Sequence, residues 1–139
     1  MKKSEIIEKK VAEREHMMQM LYQMNMLGDF SQEAFDSFLQ MQMTEAGVTG
    51  YSRQLYEAFA LHREEIDAEI EKNSIKWKIQ RMPAVDLSIL RLALTEIRYI
   101  DTIPVSVSIN EAVNLAKKFS TDKSSSFING VLGNAVKEA

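Results

Sequence analysis

Glu13-Arg14-Glu15-His16 places a carboxylate and an imidazole three residues apart, on one face if the segment is helical, which is the spacing of a metal-ligating pair. Di-iron bundles use that pair twice and add one glutamate from each of two further helices. The only other histidine, His62, stands in the reversed order with Glu65, on an apolar stripe, where a core or capping role fits it better than ligation. Other chemistry is thinner still. The glycines are scattered at positions 28, 47, 50, 130 and 133, so there is no phosphate-cradling loop. There is no Gly-x-Ser-x-Gly nucleophile elbow and no cysteine, which removes the common serine and thiol nucleophiles. These residues assemble no catalytic constellation. The expectation is a protein that is not an enzyme and holds no metal or cofactor.

What the sequence does offer is charge sorted by face. In the first helical stretch Lys3, Lys10 and Arg14 fall along one edge, with Lys2 and Lys9 further round, while Glu5, Glu8 and Glu15 gather on the opposite flank. Glu13 is the exception, falling among the basic residues. Such an edge could face phosphates. It could equally be a solvated helix with intrahelical ion pairs such as Glu5–Lys9, each contributing about 0.2–0.5 kcal/mol. The net charge of −3 bears on this choice, because a protein gripping RNA alone through phosphates is usually basic. Any RNA contact must be confined to a local patch or shared with a basic partner.

The elements that would position these groups are helices. With 139 residues the chain is expected to form one domain with a substantial core. Five glycines and two prolines leave few breakers, and nine methionines add good helix formers, which argues for an all-α protein. The spacing predicts a first helix from about Ser4 to Met26 with Ile7, Val11, Met18 and Tyr22 on its apolar stripe. Gly28-Asp29 ends it, and Ser31 opens a short second helix with Phe35, Phe38 and Leu39 inside. A turn is expected over Thr44–Gly50. A third helix from about Tyr51 to Glu71 places Leu55, Phe59, His62, Ile66 and Ile70 on one stripe. A short fourth helix carries Trp77, expected as a core anchor, beside Ile75 and Ile79. Pro83 suits the first turn of a fifth helix, with Asp86 near its positive end and Ile89, Leu90, Ala93, Leu94 and Ile97 buried.

The stretch from Pro104 to Gly133 is the most patterned. Ser108 and Glu111 have capping-box spacing, and Ile109, Ala112, Val113, Ala116 and Phe119 recur at helical steps. A polar break through Asp122 and Lys123 precedes a last helix with Phe127, Ile128, Val131, Leu132 and Ala135 inside. Gly130 sits mid-helix, where glycine costs about 1 kcal/mol relative to alanine. Close packing against a neighbouring backbone explains it, with Asn129 bracing that neighbour. The other reading is a surface shaped for something to dock. In all, seven helices are expected in two halves, about 1–71 and 72–139, sharing one core. No run of about 18 apolar residues exists to span a membrane, and the basic start lacks the apolar run of a signal peptide. A cytoplasmic location fits the absence of cysteine.

Three motifs carry a family resemblance. Ile109-Asn-Glu-Ala-Val113 with Phe127-Ile-Asn-Gly-Val-Leu132, Gln19-Met-Leu-Tyr22, and Val85-Asp-Leu-Ser-Ile-Leu-Arg-Leu-Ala-Leu-Thr-Glu96 together closely resemble the NusB family of bacterial transcription antitermination factors, in order and over most of the chain. The resemblance implies an all-α, NusB-like fold of two small helical bundles and a single RNA-binding domain over residues 1–139. It also implies binding of a short single-stranded, boxA-type RNA element in nascent ribosomal RNA transcripts. This would be done with the small-subunit ribosomal protein NusE, within the RNA polymerase antitermination complex.

Carried over by motif, Lys9, Lys10 and Arg14 are expected at phosphates, with Lys123, Ser124 and Phe127 as the second part of the RNA surface. Tyr22 and Asp86 match family contact positions for the protein partner, Asp86 having also its own reading as a helix-terminus carboxylate. Two departures stand out. The family usually carries an arginine-rich run here, yet Val11 and Ala12 stand where arginines are often found, and lysine at position 10 lacks the planar fork of arginine. Lys123 stands where the family often has an acid. A helical protein-binding module with little RNA contact is therefore the competing reading. A third is the NusB-like domain fused to RNA methyltransferases, against which the short chain, with no cofactor-binding domain following, argues. Whether the free protein forms a homodimer through its methionine-rich helices is open.

Overall fold

The computed structural model describes residues 3–42, 50–75 and 77–137, with the backbone alone at 3–9, 42 and 50. The turn expected over Thr44–Gly50 lies almost wholly outside the described residues, as do the side chains of Lys9 and its neighbours in the first turns. Among the described residues there are six α-helices and one 3-10 turn: α1 Lys3–Leu27, α2 Gln32–Gln42, α3 Gly50–Asn73, the turn Ile79–Arg81, α4 Ala84–Tyr99, α5 Val105–Phe119 and α6 Asp122–Lys137. The all-α expectation holds. The expected fourth helix is reduced to the single turn, because α3 runs on to Asn73 and Pro83 closes the segment ten residues later. Too few residues remain for a nucleated helix.

Helix α4 is the axis of the molecule. Eleven consecutive residues, Asp86 to Glu96, are buried, so it is covered on every side rather than along one stripe. Helices α1, α3, α5 and α6 all pack against it. The buried apolar residues form one cluster that runs from Met17 to Ala135. In its α1 portion Met18 is buried as expected, but Met17, Met20, Leu21 and Met24 are buried as well, whereas Tyr22 is 37% exposed. Methionine fills the gaps between helices because its unbranched chain adapts to irregular space.

Local signals set most boundaries. Gly28 adopts φ +67° and ends α1, a left-handed conformation that favours glycine. The Ser31 hydroxyl accepts the Ala34 amide at 3.2 Å and caps α2. Thr121 does the same for α6, accepting the Ser124 amide at 3.0 Å, so the helix takes in Asp122 and Lys123 in place of the expected break. The capping box at Ser108 is not formed: α5 starts at Val105 behind Pro104, leaving Ser108 buried within the helix. Helix α3 carries a kink at His62 (φ −116°, ψ 20°), where the imidazole stacks on Tyr99 at 3.9 Å and Nδ1 lies 2.6 Å from Glu65.

The close-packing explanation for Gly130 fails. Gly130 is exposed, and a Cβ built there would meet no atom within 4 Å. Gly130→Ala is therefore expected to raise stability by about 1 kcal/mol through helix propensity and a less flexible unfolded chain. The midpoint of urea unfolding measures it.

Candidate RNA and partner interface

The first group of expected site residues sits at the α1–α4 crossing. Arg14 is 5% exposed, and its Nε donates to Glu96 Oε2 at 2.8 Å. Tyr51 on α3 donates its hydroxyl to the same carboxylate oxygen. Burial pushes the Glu96 carboxyl above the usual carboxylate range, and the Arg14 guanidinium opposes that rise without cancelling it. Glu13, the acid on an otherwise basic edge, turns inward and accepts the Ser52 hydroxyl at 2.8 Å. The expectation that Arg14 reaches phosphate thus meets a different geometry: this guanidinium is an interior group joining two helices. A lone buried charge is expensive, so the pair fixes Arg14 where Glu96 lies. Lys10, one turn earlier, is half-buried and holds its ammonium 5.7 Å from the Tyr51 ring centre.

The Glu-x-x-His pair is likewise taken up by the fold. Glu13 is engaged by α3; among the described residues His16 Nδ1 has no hydrogen-bond partner, and no cluster of three or more acids, histidines or cysteines could hold a metal.

The second group is brought together. Asp86, Lys123, Ser124 and Phe127 line one open hollow of about 330 Å³ with Trp77, Arg81 and Pro83. Asp86 itself is 2% exposed. Its oxygens accept the Ser120 hydroxyl at 3.1 Å and the Ser124 hydroxyl at 2.9 Å. The carboxylate at the start of α4 thereby pins the α5–α6 turn from beneath the hollow. Lys123 stays exposed on the rim, and Phe127 is half-buried, one side in the core and one in the hollow.

A short series of contacts links the two groups. Lys118 Nζ donates to Glu15 Oε1, the residue after Arg14, at 2.6 Å. Two residues on, the Ser120 hydroxyl lies 2.9 Å from that of Ser124, beside Lys123. Sequence reasoning passes over Lys117 and Lys118, although two lysines in the last turn of α5 are a signal that could mark them. It also misses Arg81 and places Trp77 in the core. Trp77 is 46% exposed, because the extended segment at Lys78 carries it outside the helices. Tyr22 remains on the surface, available to a partner.

The chain is similar to known proteins over most of its length. The model of the NusB family matches residues 11–137. The transcription antitermination protein NusB of Finegoldia magna is 40% identical over 124 residues, covering 89% of this chain and 90% of that one. The corresponding protein of Natranaerobius thermophilus is 47% identical over 124 residues, covering 86% and 88%. Among solved structures, the complex of antitermination factors NusB and NusE with double-stranded RNA contains a chain that matches with TM-score 0.82 at 25% identity, covering 95% of this chain and 98% of that one. T. maritima NusB matches with TM-score 0.81 at 27% identity, covering 92% and 90%.

Proposed function

This chain belongs to the NusB family, and on that premise we propose that it binds a short single-stranded, boxA-type RNA element of nascent ribosomal RNA transcripts, jointly with NusE, to promote processive transcription in the cytoplasm. The observation that carries this reading is the hollow at the start of α6. It joins the cation of Lys123 and that of Arg81 to the aromatic faces of Trp77 and Phe127. Phosphates need the first and unpaired bases the second. Paired bases keep their faces stacked within the duplex, so this hollow favours an unpaired strand.

A net charge of −3 makes a cationic companion valuable. NusE would add phosphate contacts and speed docking through complementary charge. Tyr22, exposed on α1, supplies it with an aromatic contact. Asp86 acts for both partners by holding Ser124 in place. Lys10, Lys117 and Lys118 extend the cationic ground from α1 to the end of α5, and Lys9 is carried over as a further phosphate contact by motif alone.

A salt series of gel shifts with a ribosomal leader RNA, with and without NusE, tests the reading. Affinity should rise on adding NusE, and its logarithm should fall linearly with the logarithm of salt concentration. Lys123→Glu and Lys10→Glu should each weaken binding for all RNA sequences and reduce that slope by about 0.7 for each phosphate no longer neutralised. No gain with NusE at any salt concentration would count decisively against it.

One observation favours the competing reading of a protein-binding module. Arg14 is committed to Glu96, and Val11 and Ala12 bring no charge to α1. In that case both charge reversals leave NusE binding and antitermination unchanged.

A further inference from the structure

Beside the hollow at Lys123 lies a second cleft of about 270 Å³, between the end of α3 and α6. Trp77 and Phe127 line both, so the two spaces share an aromatic wall. Polar residues line part of the cleft. Ser74 is 6% exposed, and its hydroxyl is closed off from solvent, with no hydrogen-bond partner among the described residues. Asn134 gives one amide hydrogen to the Asn73 carbonyl at 3.5 Å, the outer limit of a hydrogen bond. On the α6 side the lining includes Gly130, at which an added Cβ would meet nothing within 4 Å, so a larger side chain there has room to enter the cleft.

We propose that this cleft is a nucleobase subsite, in which one unpaired RNA base stacks against Trp77 and Phe127 with its polar edge toward Asn134. The inference rests on the RNA reading above and extends it to a specific base position. Aromatic walls suit a planar ring. The Asn134 amide, held to the Asn73 carbonyl only at the limit of a hydrogen bond, suits a ligand that carries a donor or acceptor on its edge, which an apolar side chain does not offer. The adjoining hollow places Arg81 and Lys123 where the phosphate next to that base would emerge. An apolar protein side chain answers only the first of these features.

Trp77 is the only tryptophan in the chain, so its emission reports this site alone. The full-length protein is titrated with a short single-stranded ribosomal leader RNA. Tryptophan emission is followed in one series and the anisotropy of a fluorescein-labelled copy of the RNA in another, each with and without NusE. RNA should quench Trp77 over the concentration range in which anisotropy saturates. Trp77→Ala and Gly130→Leu should each weaken binding about tenfold, within the range for loss of one stacked base, while the salt slope stays as in the parent. Trp77→Phe should restore most of the affinity. Thermal melting confirms that these surface variants are folded.

Anisotropy unchanged in Trp77→Ala and Gly130→Leu, or RNA binding without quenching, overturns the base subsite and leaves the RNA reading standing. Quenching by NusE alone with no further change on adding RNA assigns the cleft to a protein and also overturns it. No anisotropy change with parent protein and NusE at low salt removes both.

Discussion

Arg14→Met is expected to destabilise the protein by about 3–5 kcal/mol at neutral pH, because it leaves the Glu96 carboxylate buried without its cation. Glu96 is buried in the last turn of α4, with Arg14 Nε at 2.8 Å and the Tyr51 hydroxyl on the same oxygen. Its carboxyl already titrates above the usual range, burial outweighing the guanidinium. Without Arg14 the rise must be larger. Between the ordinary carboxylate value and that raised one, the folded state keeps a proton that the unfolded chain has released. Stability therefore falls as pH rises through this window and is recovered on acidification. The penalty of Arg14→Met should accordingly shrink toward pH 4.5, the ordinary value for this group, while the parent is less sensitive over the same range. Arg14→Met/Glu96→Gln should restore most of the stability at neutral pH, since the amide oxygen still accepts the Tyr51 hydroxyl and no charge is left behind. Denaturant midpoints across a pH series measure all three. The same double variant separates two roles for Arg14. If the arginine only holds α1 on α4, the folded double variant binds RNA with NusE as the parent does. If it binds poorly although folded, the guanidinium reaches phosphate.

Arg14 also shows where sequence reasoning reaches its limit. Its partner lies 82 positions away, and a charged residue on an amphipathic helix reads as solvated until the facing helix is known. The same blindness makes Glu13 look misplaced. Periodicity does locate the six long helices and the inward residues of α6, because burial on one face leaves a repeat that needs no partner to be seen; on α4 it finds one stripe of a helix that is buried all round. It fails for Trp77, a single aromatic in a segment too short to show any period, and for Met17, Met20 and Met24 of α1, whose apolar character is less conspicuous than that of Ile7 or Val11. Gly130 is legible as an oddity but not in its cause. A mid-helix glycine signals either a close neighbour or a deliberate space, and only the surroundings decide. The motif residues Lys123, Ser124, Phe127 and Asp86 converge on one hollow because the α5–α6 turn folds back onto the start of α4, a contact that their spacing in the chain does not announce.

Arg91 should prove as sensitive as Arg14. Its side chain is 4% exposed, and its fork meets Asp67 in two parallel bonds, Nε to Oδ1 and Nη2 to Oδ2, both at 2.9 Å. Nη1 donates to Asn25 Oδ1 at 3.0 Å, and the guanidinium lies 5.2 Å from the Phe30 ring centre. One side chain on α4 thus ties together α3, the end of α1 and the segment between α1 and α2. Arg91→Met should cost about 3–5 kcal/mol, toward the lower end because Asp67 keeps some contact with water. Arg91→Lys is no conservative change here. A single ammonium cannot span both carboxylate oxygens and the Asn25 amide, and it lacks the flat face that stacks on Phe30. It should therefore lie between the methionine variant and the parent. Arg91→Met/Asp67→Asn should be less destabilised than Arg91→Met alone, which a double-mutant cycle of unfolding free energies resolves. None of these changes touches the hollows at Trp77, Lys123 and Phe127. Each variant, studied below its melting temperature, should therefore keep the RNA affinity of the parent. Weaker binding by folded Arg91→Lys would mean that the α1–α3–α4 clamp and the aromatic surface are energetically coupled through α4, and that the central helix transmits strain as well as supplying support.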